Sequence, residues 1–246
     1  MGKIALLFPG QGSQYVGMGA EVAMAFDAAR MAWDDASNHS FGGERLSDVV
    51  FPRPVFTEEE REEQQKKLTS TQWAQPALGV HSQALANVLH SVGVRSSCVA
   101  GHSFGELSAL HEAGVLDAQA LVKVARRRGE LMAEASSSVP GDMTAVAKSI
   151  EEVRAVVTAS GSDVVLANHN SPTQVVLSGS VEEMTKMEQA LAAQGMTAKR
   201  LPVATAFHSP LVGASSAPFR SFLDSVAVST PRLDVYSNST ATAYPA

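Results

Sequence analysis

The five residues Gly101-His102-Ser103-Phe104-Gly105 constrain this chain more than any other stretch. They match the pattern G-x-S-x-G. A short apolar run, Ser97-Cys98-Val99-Ala100, precedes them, and a helical pattern carrying Leu107 and Leu110 follows. A serine between two glycines at such a junction predicts a tight strand-to-helix turn that lifts the hydroxyl out of the sheet edge. The start of the helix then offers backbone N–H groups to a developing oxyanion. Ser103 is therefore the candidate nucleophile.

Composition narrows the setting of that serine. Of the 246 residues, 45% are hydrophobic and 18% charged, which excludes wholesale disorder. The formal net charge is -6, and coating nucleic acid would need a basic face. The single cysteine, Cys98, excludes an internal disulfide and a Cys-rich zinc site, and no bound metal is expected. The start, MGKIALLFPG, has too short an apolar run for a signal peptide, and no stretch reaches the length of a membrane span. A soluble, cytoplasmic protein without membrane or nucleic-acid partners is expected.

The order of elements divides the chain. Lys3 to Phe8 reads as a buried strand ending at Pro9-Gly10, and residues 17–37 read as an amphipathic helix on Val22, Phe26, Ala29 and Trp33. Thr57 and Glu60 form a capping box ahead of EEREEQQKK, a solvated helix face. Pro76 suits the first position of the next helix, which Gly93 closes, and Asp117 caps another through about Glu134. The run ASSSVPG is expected to be a hinge. Beyond it, MTAVAK, a helix capped by Ser149, DVVLAN, TQVVLSG, a helix with the Ser180/Glu183 box and TAKRLPV follow in β-α-β-β-α-β order, the ferredoxin-like pattern. A helix around residues 211–226 and a strand near LDVYS end the reading.

A serine nucleophile needs a base. Among seven histidines, His81, His90 and His111 fall within helical stretches and His39 within a polar turn. The ring of His102 is expected to support the turn beside Ser103. His208, in Ala206-Phe207-His208-Ser209-Pro210, lies in a loop that positions it, and it is the favoured base.

Five blocks in order, FPGQGSQ, GHSFGE, RRRGELM, ANHNSPTQVVLSG and AFHSP, together resemble the malonyl-CoA:acyl-carrier-protein acyltransferase family over nearly the whole chain. The wording around Ser103 is most similar to acyltransferase domains of iterative polyketide synthases of the enediyne type or of polyunsaturated fatty-acid synthases. The resemblance implies an α/β fold: an α/β-hydrolase-like large subdomain with a parallel sheet (residues 1–139 and 205–246) and an inserted ferredoxin-like small subdomain (residues 140–204). It implies that Ser103 forms an acyl ester with His208 as base, and that the backbone N–H groups of Gln11 and Phe104 form the oxyanion hole. Arg128 is implied to hold the free malonyl carboxylate, which a planar guanidinium fork suits. Arg126 and Arg127 read as surface charge. Gln75, Asn170 and neighbouring Asn168 are implied near the pocket, and Phe207 resembles the malonyl-selecting form of its motif, where a ring would crowd a 2-methyl branch.

The implied substrate is malonyl-CoA, and the implied acceptor is the phosphopantetheine thiol of an acyl carrier protein, within a larger multidomain synthase. No bound cofactor is implied. In the family a later C-terminal carbonyl orients the histidine. The chain reaches Ala246 soon after Asn238, in a stretch similar to the family's Asn-x-Thr-Ala, so the large subdomain is expected to be truncated. Two other readings stay open: a serine hydrolase or thioesterase on acyl thioesters, and a non-catalytic module that docks a carrier protein.

Overall fold

A computed structural model of the chain describes residues 3–138, 140–201 and 206–245. In chain order the elements begin with β1 (Ala5–Phe8), α1 (Ala20–Ala25), α2 (Asp27–Ala36), β2 (Ser40–Phe41), β3 (Glu44–Arg45), α3 (Leu46–Val50) and α4 (Glu58–Thr69). There follow α5 (Thr71–Ser91), β4 (Cys98–Gly101), α6 (Gly105–Glu112) and α7 (Ala118–Ser138). The chain continues as β5 (Gly141–Val146), α8 (Ile150–Ser160), β6 (Val165–Ser171), β7 (Gln174–Ser180), α9 (Val181–Ala193) and β8 (Ala198–Arg200). A 3-10 turn (Pro210–Ser215), α10 (Ser216–Leu223) and β9 (Asp234–Tyr236) complete it. Among the described residues no helix is long and apolar enough to cross a membrane.

Contacts divide the chain into two units, Met1–Glu130 with Phe222–Ala246, and Leu131–Ser221. The second is wider than the 140–204 insertion read from sequence. The boundaries expected at 139/140 and 204/205, and the end of TAKRLPV, fall on or beside Val139 and residues 202–205, outside those described.

In the first unit β1, β4 and β9 form a parallel sheet in the order β1-β4-β9, with Phe8 opposite Gly101 and Ala100 opposite Tyr236. Phe8, Val99, Ala109 and Val235 pack together beside this sheet. A larger core joins Trp33, Leu46, Val50, Leu68, Trp73, Leu78 and Phe104. The Thr57/Glu60 capping box forms, and α4 buries only Leu68, as a solvated helix should.

Two helices differ from the sequence reading. The helix expected over 17–37 is broken at Phe26, which is extended (φ −129°, ψ 117°). Its N–H closes α1 on Val22, while Asp27 opens α2, where its charge suits the helix N-terminus. Pro76 lies inside α5 rather than at its start. Proline has no N–H, so the carbonyl of Gln72 four residues back loses its helical donor. The Arg126 Nη1 donates to that carbonyl at 3.1 Å and replaces it.

The second unit forms the antiparallel sheet β6-β7-β5-β8, the strand order of a ferredoxin-like unit. Its core is Val146, Val153, Val175, Leu177, Met184, Met187 and Leu191. Local signals set its helix starts. Ser149 and Glu152 form a complete capping box, and the Ser180 hydroxyl accepts from the Glu183 N–H at 3.3 Å. The ASSS run continues α7 as far as Ser138 instead of breaking it. The region expected as one helix over 211–226 opens as a 3-10 turn and ends at Leu223.

Candidate active site

Ser103 sits where β4 turns into α6, with φ 51°. That left-handed conformation costs a non-glycine residue about 1–3 kcal/mol and persists only where the surroundings over-determine it. Three glycines explain how it is held. A Cβ on Gly101 would lie 1.9 Å from the Gly105 carbonyl carbon, and one on Gly105 would lie 2.2 Å from the Phe8 carbonyl oxygen. A Cβ on Gly10 would meet the His102 carbonyl at 2.6 Å and its Nδ1 at 2.9 Å. Turn, strand β1 and the Pro9–Gly10 loop thus approach at backbone distance. The His102 N–H donates to Phe8 at 2.9 Å, and its carbonyl accepts from Gly105 at 2.9 Å. The His102 backbone thus ties the turn to β1 and to the start of α6.

The loop after β1 brings Gln11 into the same unit as Ser103. The Gln11 side chain donates to the Thr71 hydroxyl at 3.4 Å and to the Thr69 carbonyl at 3.5 Å, and accepts from Gln75 Nε2 at 3.5 Å. Gln75 is fully buried on α5. With its side chain so engaged, Gln11 has its backbone N–H left to offer a substrate. The Phe104 ring is wholly buried in the core, so it too can contribute only through its backbone N–H. Among the described residues neither N–H donates to a backbone carbonyl.

Arg128 lies on α7, one residue before Gly129. A Cβ on Gly129 would fall 2.5 Å from the Thr71 carbonyl, so this turn of α7 is pressed against the start of α5. Arg128 is partly buried. Desolvation lowers its pKa to about 10, while the charge of Glu106 acts in the opposite direction. In neutral solution it remains a cation that burial has left short of hydration, which is the state that a carboxylate ligand relieves. Arg126, expected as surface charge, is instead a packing residue: its guanidinium stacks 4.6 Å from the Trp73 ring and 4.7 Å from the Phe41 ring, and pairs with Glu130 at 2.6 Å. Arg127 pairs with Glu130 at 3.5 Å.

The second unit carries the remaining candidates. His208 is exposed and, like Ser103, has a positive φ, 58°. The adjoining Phe207 is buried against Met132, Met143 and Val176. The Ser209 hydroxyl donates to the Ala206 carbonyl at 2.7 Å and accepts from the Leu211 N–H at 3.3 Å, with Pro210 opening the 3-10 turn. Asn170 lies on β6 and donates to Gln174 at 3.2 Å across the hairpin to β7; Asn168 is on the same strand. Of the other histidines, His90 bonds Glu112 at 2.9 Å, and the His111 Nδ1 lies 2.8 Å from the Leu116 carbonyl. Burial lowers the pKa of His81, as it does that of His39, with Lys123 adding to the latter. No group of three or more metal-ligating side chains occurs among the described residues.

Sequence reading attached no role to the partners of Ser103 beyond β9. Asn238 Oδ1 accepts from the Ser103 N–H at 3.2 Å, and its Nδ2 donates to the Gly101 carbonyl at 2.8 Å and to Glu106. Tyr244 also donates to Glu106. These residues are more than 130 positions from the turn, so only the β4–β9 pairing reveals them.

The acyl transferase domain family matches residues 5–244. The chain is 35% identical to the malonyl CoA-acyl carrier protein transacylase of Bacillus subtilis, covering 97% of this chain and 73% of that protein. It is 32% identical to a polyunsaturated fatty acid synthase component of Thraustochytrium sp., covering 99% of this chain but only 9% of that one. A malonyl-transacylase solved in complex with its type II polyketide acyl-carrier protein superposes with a TM-score of 0.88 at 32% identity, covering 100% of this chain and 77% of that one. A match over almost every described residue, on a fold with the serine turn in place, makes this chain a member of the acyl transferase domain family.

Proposed function

We propose that the chain moves a malonyl group from malonyl-CoA, through an ester on Ser103, to the phosphopantetheine thiol of an acyl carrier protein, in cytoplasmic polyketide or fatty-acid biosynthesis. The observation that carries this reading is the presence, within one unit, of a serine held at φ 51° on a strand-to-helix turn and of the partly desolvated guanidinium of Arg128, which feels the charge of Glu106 from the helix that this turn opens. A lipase-type acyl pocket has no use for a buried cation.

Ser103 Oγ, giving its proton to His208, attacks the thioester carbonyl. The oxyanion is held by the N–H groups of Gln11 and Phe104. CoA leaves as its thiol with the proton from His208. The carrier thiol then attacks the ester, and His208 takes and returns a proton in the same way. Arg128 fixes the malonyl carboxylate and so keeps the ester away from productive water. Gln75 supports the Gln11 loop, and His102 supports the turn. Asn170 and Asn168, on β6, are the residues of the second unit assigned near the pocket. Phe207, packed against Met132 and Val176, is the residue proposed to select against a 2-methyl branch, where a methyl difference is worth about 1–3 kcal/mol. The chemistry needs no cofactor beyond the two substrates.

Incubation with radiolabelled malonyl-CoA, with and without holo carrier protein, tests the reading. A label that depends on Ser103 and moves to the carrier is the expected result. Free malonate as the main product indicates a hydrolase. The absence of any Ser103 label indicates a docking module.

A further inference from the structure

We infer that Asn238 is a positioning residue that clamps the Ser103 turn, and that Glu106 and Tyr244 hold Asn238 in place. The inference rests on Ser103 being the nucleophile. Register explains why Asn238 can reach: Ala100 pairs with Tyr236, so two residues beyond that pair Asn238 stands beside the turn. One amide group then bridges both ends of the Gly101–Ser103 segment, accepting from the Ser103 N–H at 3.2 Å and donating to the Gly101 carbonyl at 2.8 Å. An amide is suited to this task because it presents an acceptor and a donor side by side. Aspartate lacks the donor, and leucine lacks both.

The clamp is itself anchored. The Asn238 Nδ2 donates to Glu106 Oε2, and the Asn238 N–H lies 3.4 Å from the same oxygen. The Tyr244 hydroxyl donates to Glu106 Oε1, so the carboxylate is gripped from both oxygens. Burial, and then the bond to Glu106, raise the Tyr244 pKa and keep it a donor. A small return of the chain presents these groups together. Tyr236 pairs with Ala243, the Ser237 N–H donates to Thr242 at 2.9 Å, and the Tyr244 N–H donates to Val235 at 2.9 Å.

The arrangement has a consequence for reactivity. With φ at 51°, Ser103 is in a conformation that relaxes unless held. The three glycines provide the room for it, and Asn238 provides the hydrogen bonds. Holding both ends of the Gly101–Ser103 segment restrains the Ser103 backbone, and with it the direction of the Phe104 N–H proposed for the oxyanion hole. Glu106, the charge felt by Arg128, belongs to the same network.

The test measures the rate at which a fluorophosphonate probe modifies Ser103, which does not depend on the natural acyl donor, alongside kcat and KM for malonyl transfer. Asn238→Ala is expected to slow probe modification and kcat by about ten- to a hundredfold, the scale of a misplaced reacting group. KM for malonyl-CoA should change less than about threefold, since the Arg128 contact is untouched. Asn238→Asp should behave like Asn238→Ala, and Glu106→Gln added to Asn238→Asp should recover part of the rate by restoring a donor–acceptor pair. Tyr244→Phe, which removes one hydroxyl, serves if the Asn238 variants do not fold, with a kcat loss of about two- to fivefold expected from a shift of the anchor. A probe rate and kcat within twofold of the unaltered protein in Asn238→Ala, or in Tyr244→Phe where that variant stands in, overturn the inference. Probe modification without malonyl transfer in the unaltered protein defeats the functional reading and leaves the clamp measurable. Failure of the probe to modify Ser103 in the unaltered protein defeats both.

Discussion

Ser103 and His208, one in each unit, are both non-glycine residues with positive φ, 51° and 58°. They are held by different means. Around Ser103 the constraint comes from afar: the Phe8 carbonyl, the Gly10 loop and Asn238, which is 135 residues away. Around His208 an apolar anchor combines with short-range bonds. Phe207 anchors the loop in a small apolar cluster, Ser209 bonds backward to Ala206 and forward to Leu211, and Pro210 sets the next turn. The backbone cost is thus met in one place by long-range hydrogen bonds and close backbone contacts, and in the other by an apolar anchor on Met132, Met143 and Val176 together with bonds between near neighbours. The first turn therefore stands or falls with the sheet, whereas the second also has short-range bonds that single substitutions can remove.

The largest effect is expected from Gly105→Ala. Its Cβ would meet the Phe8 carbonyl at 2.2 Å, and backbone cannot yield as a side-chain tip does. A loss of about 3 kcal/mol or more and of all Ser103 labelling is expected, read by denaturant melts and by acyl-enzyme mass. Any alanine variant that folds and labels normally would show the turn to be softer than its contacts imply. His208→Gly comes next, because it separates strain from chemistry. Relief of the positive φ should stabilise the protein by about 1 kcal/mol, while loss of the base lowers acylation by about a thousandfold. A variant both active and more stable would remove His208 from the mechanism.

Arg128→Ala is expected to reduce malonyl loading by about thirty- to a hundredfold, the worth of a charge-assisted hydrogen bond, and to leave acetyl loading within about threefold. Equal losses with both donors would sink the carboxylate role. Ser209→Ala has the smallest effect. It removes a local cap and should cost about 1 kcal/mol, with kcat lowered but Ser103 still reactive toward a phosphonate probe. If that substitution also silenced the probe, the two turns would not be independently held.

Much of the second unit was legible because its signals are local. Ser149 with Glu152 and Ser180 with Glu183 mark helix starts within four residues, and positive φ at Gly161 and Gly195 marks their ends. The first unit misled where distant contacts override local rules. Pro76 reads as a helix start, yet α5 runs through it because Arg126 supplies the missing donor from another helix. The same Arg126 reads as surface charge, yet the Phe41 and Trp73 rings cover it.

By itself the sequence determined the serine turn, the alternation of elements and the residues proposed for chemistry. Each depends on residue types at short fixed spacing, which the chain obeys wherever it is placed. Tertiary structure alone decided why those glycines are required, since a missing Cβ matters only when Phe8 or Gly105 stands within 3 Å of it. It also decided that Asn238 clamps Ser103. That contact follows from parallel pairing of β4 with β9, and parallel strands are joined by long connections whose partners no local pattern can name.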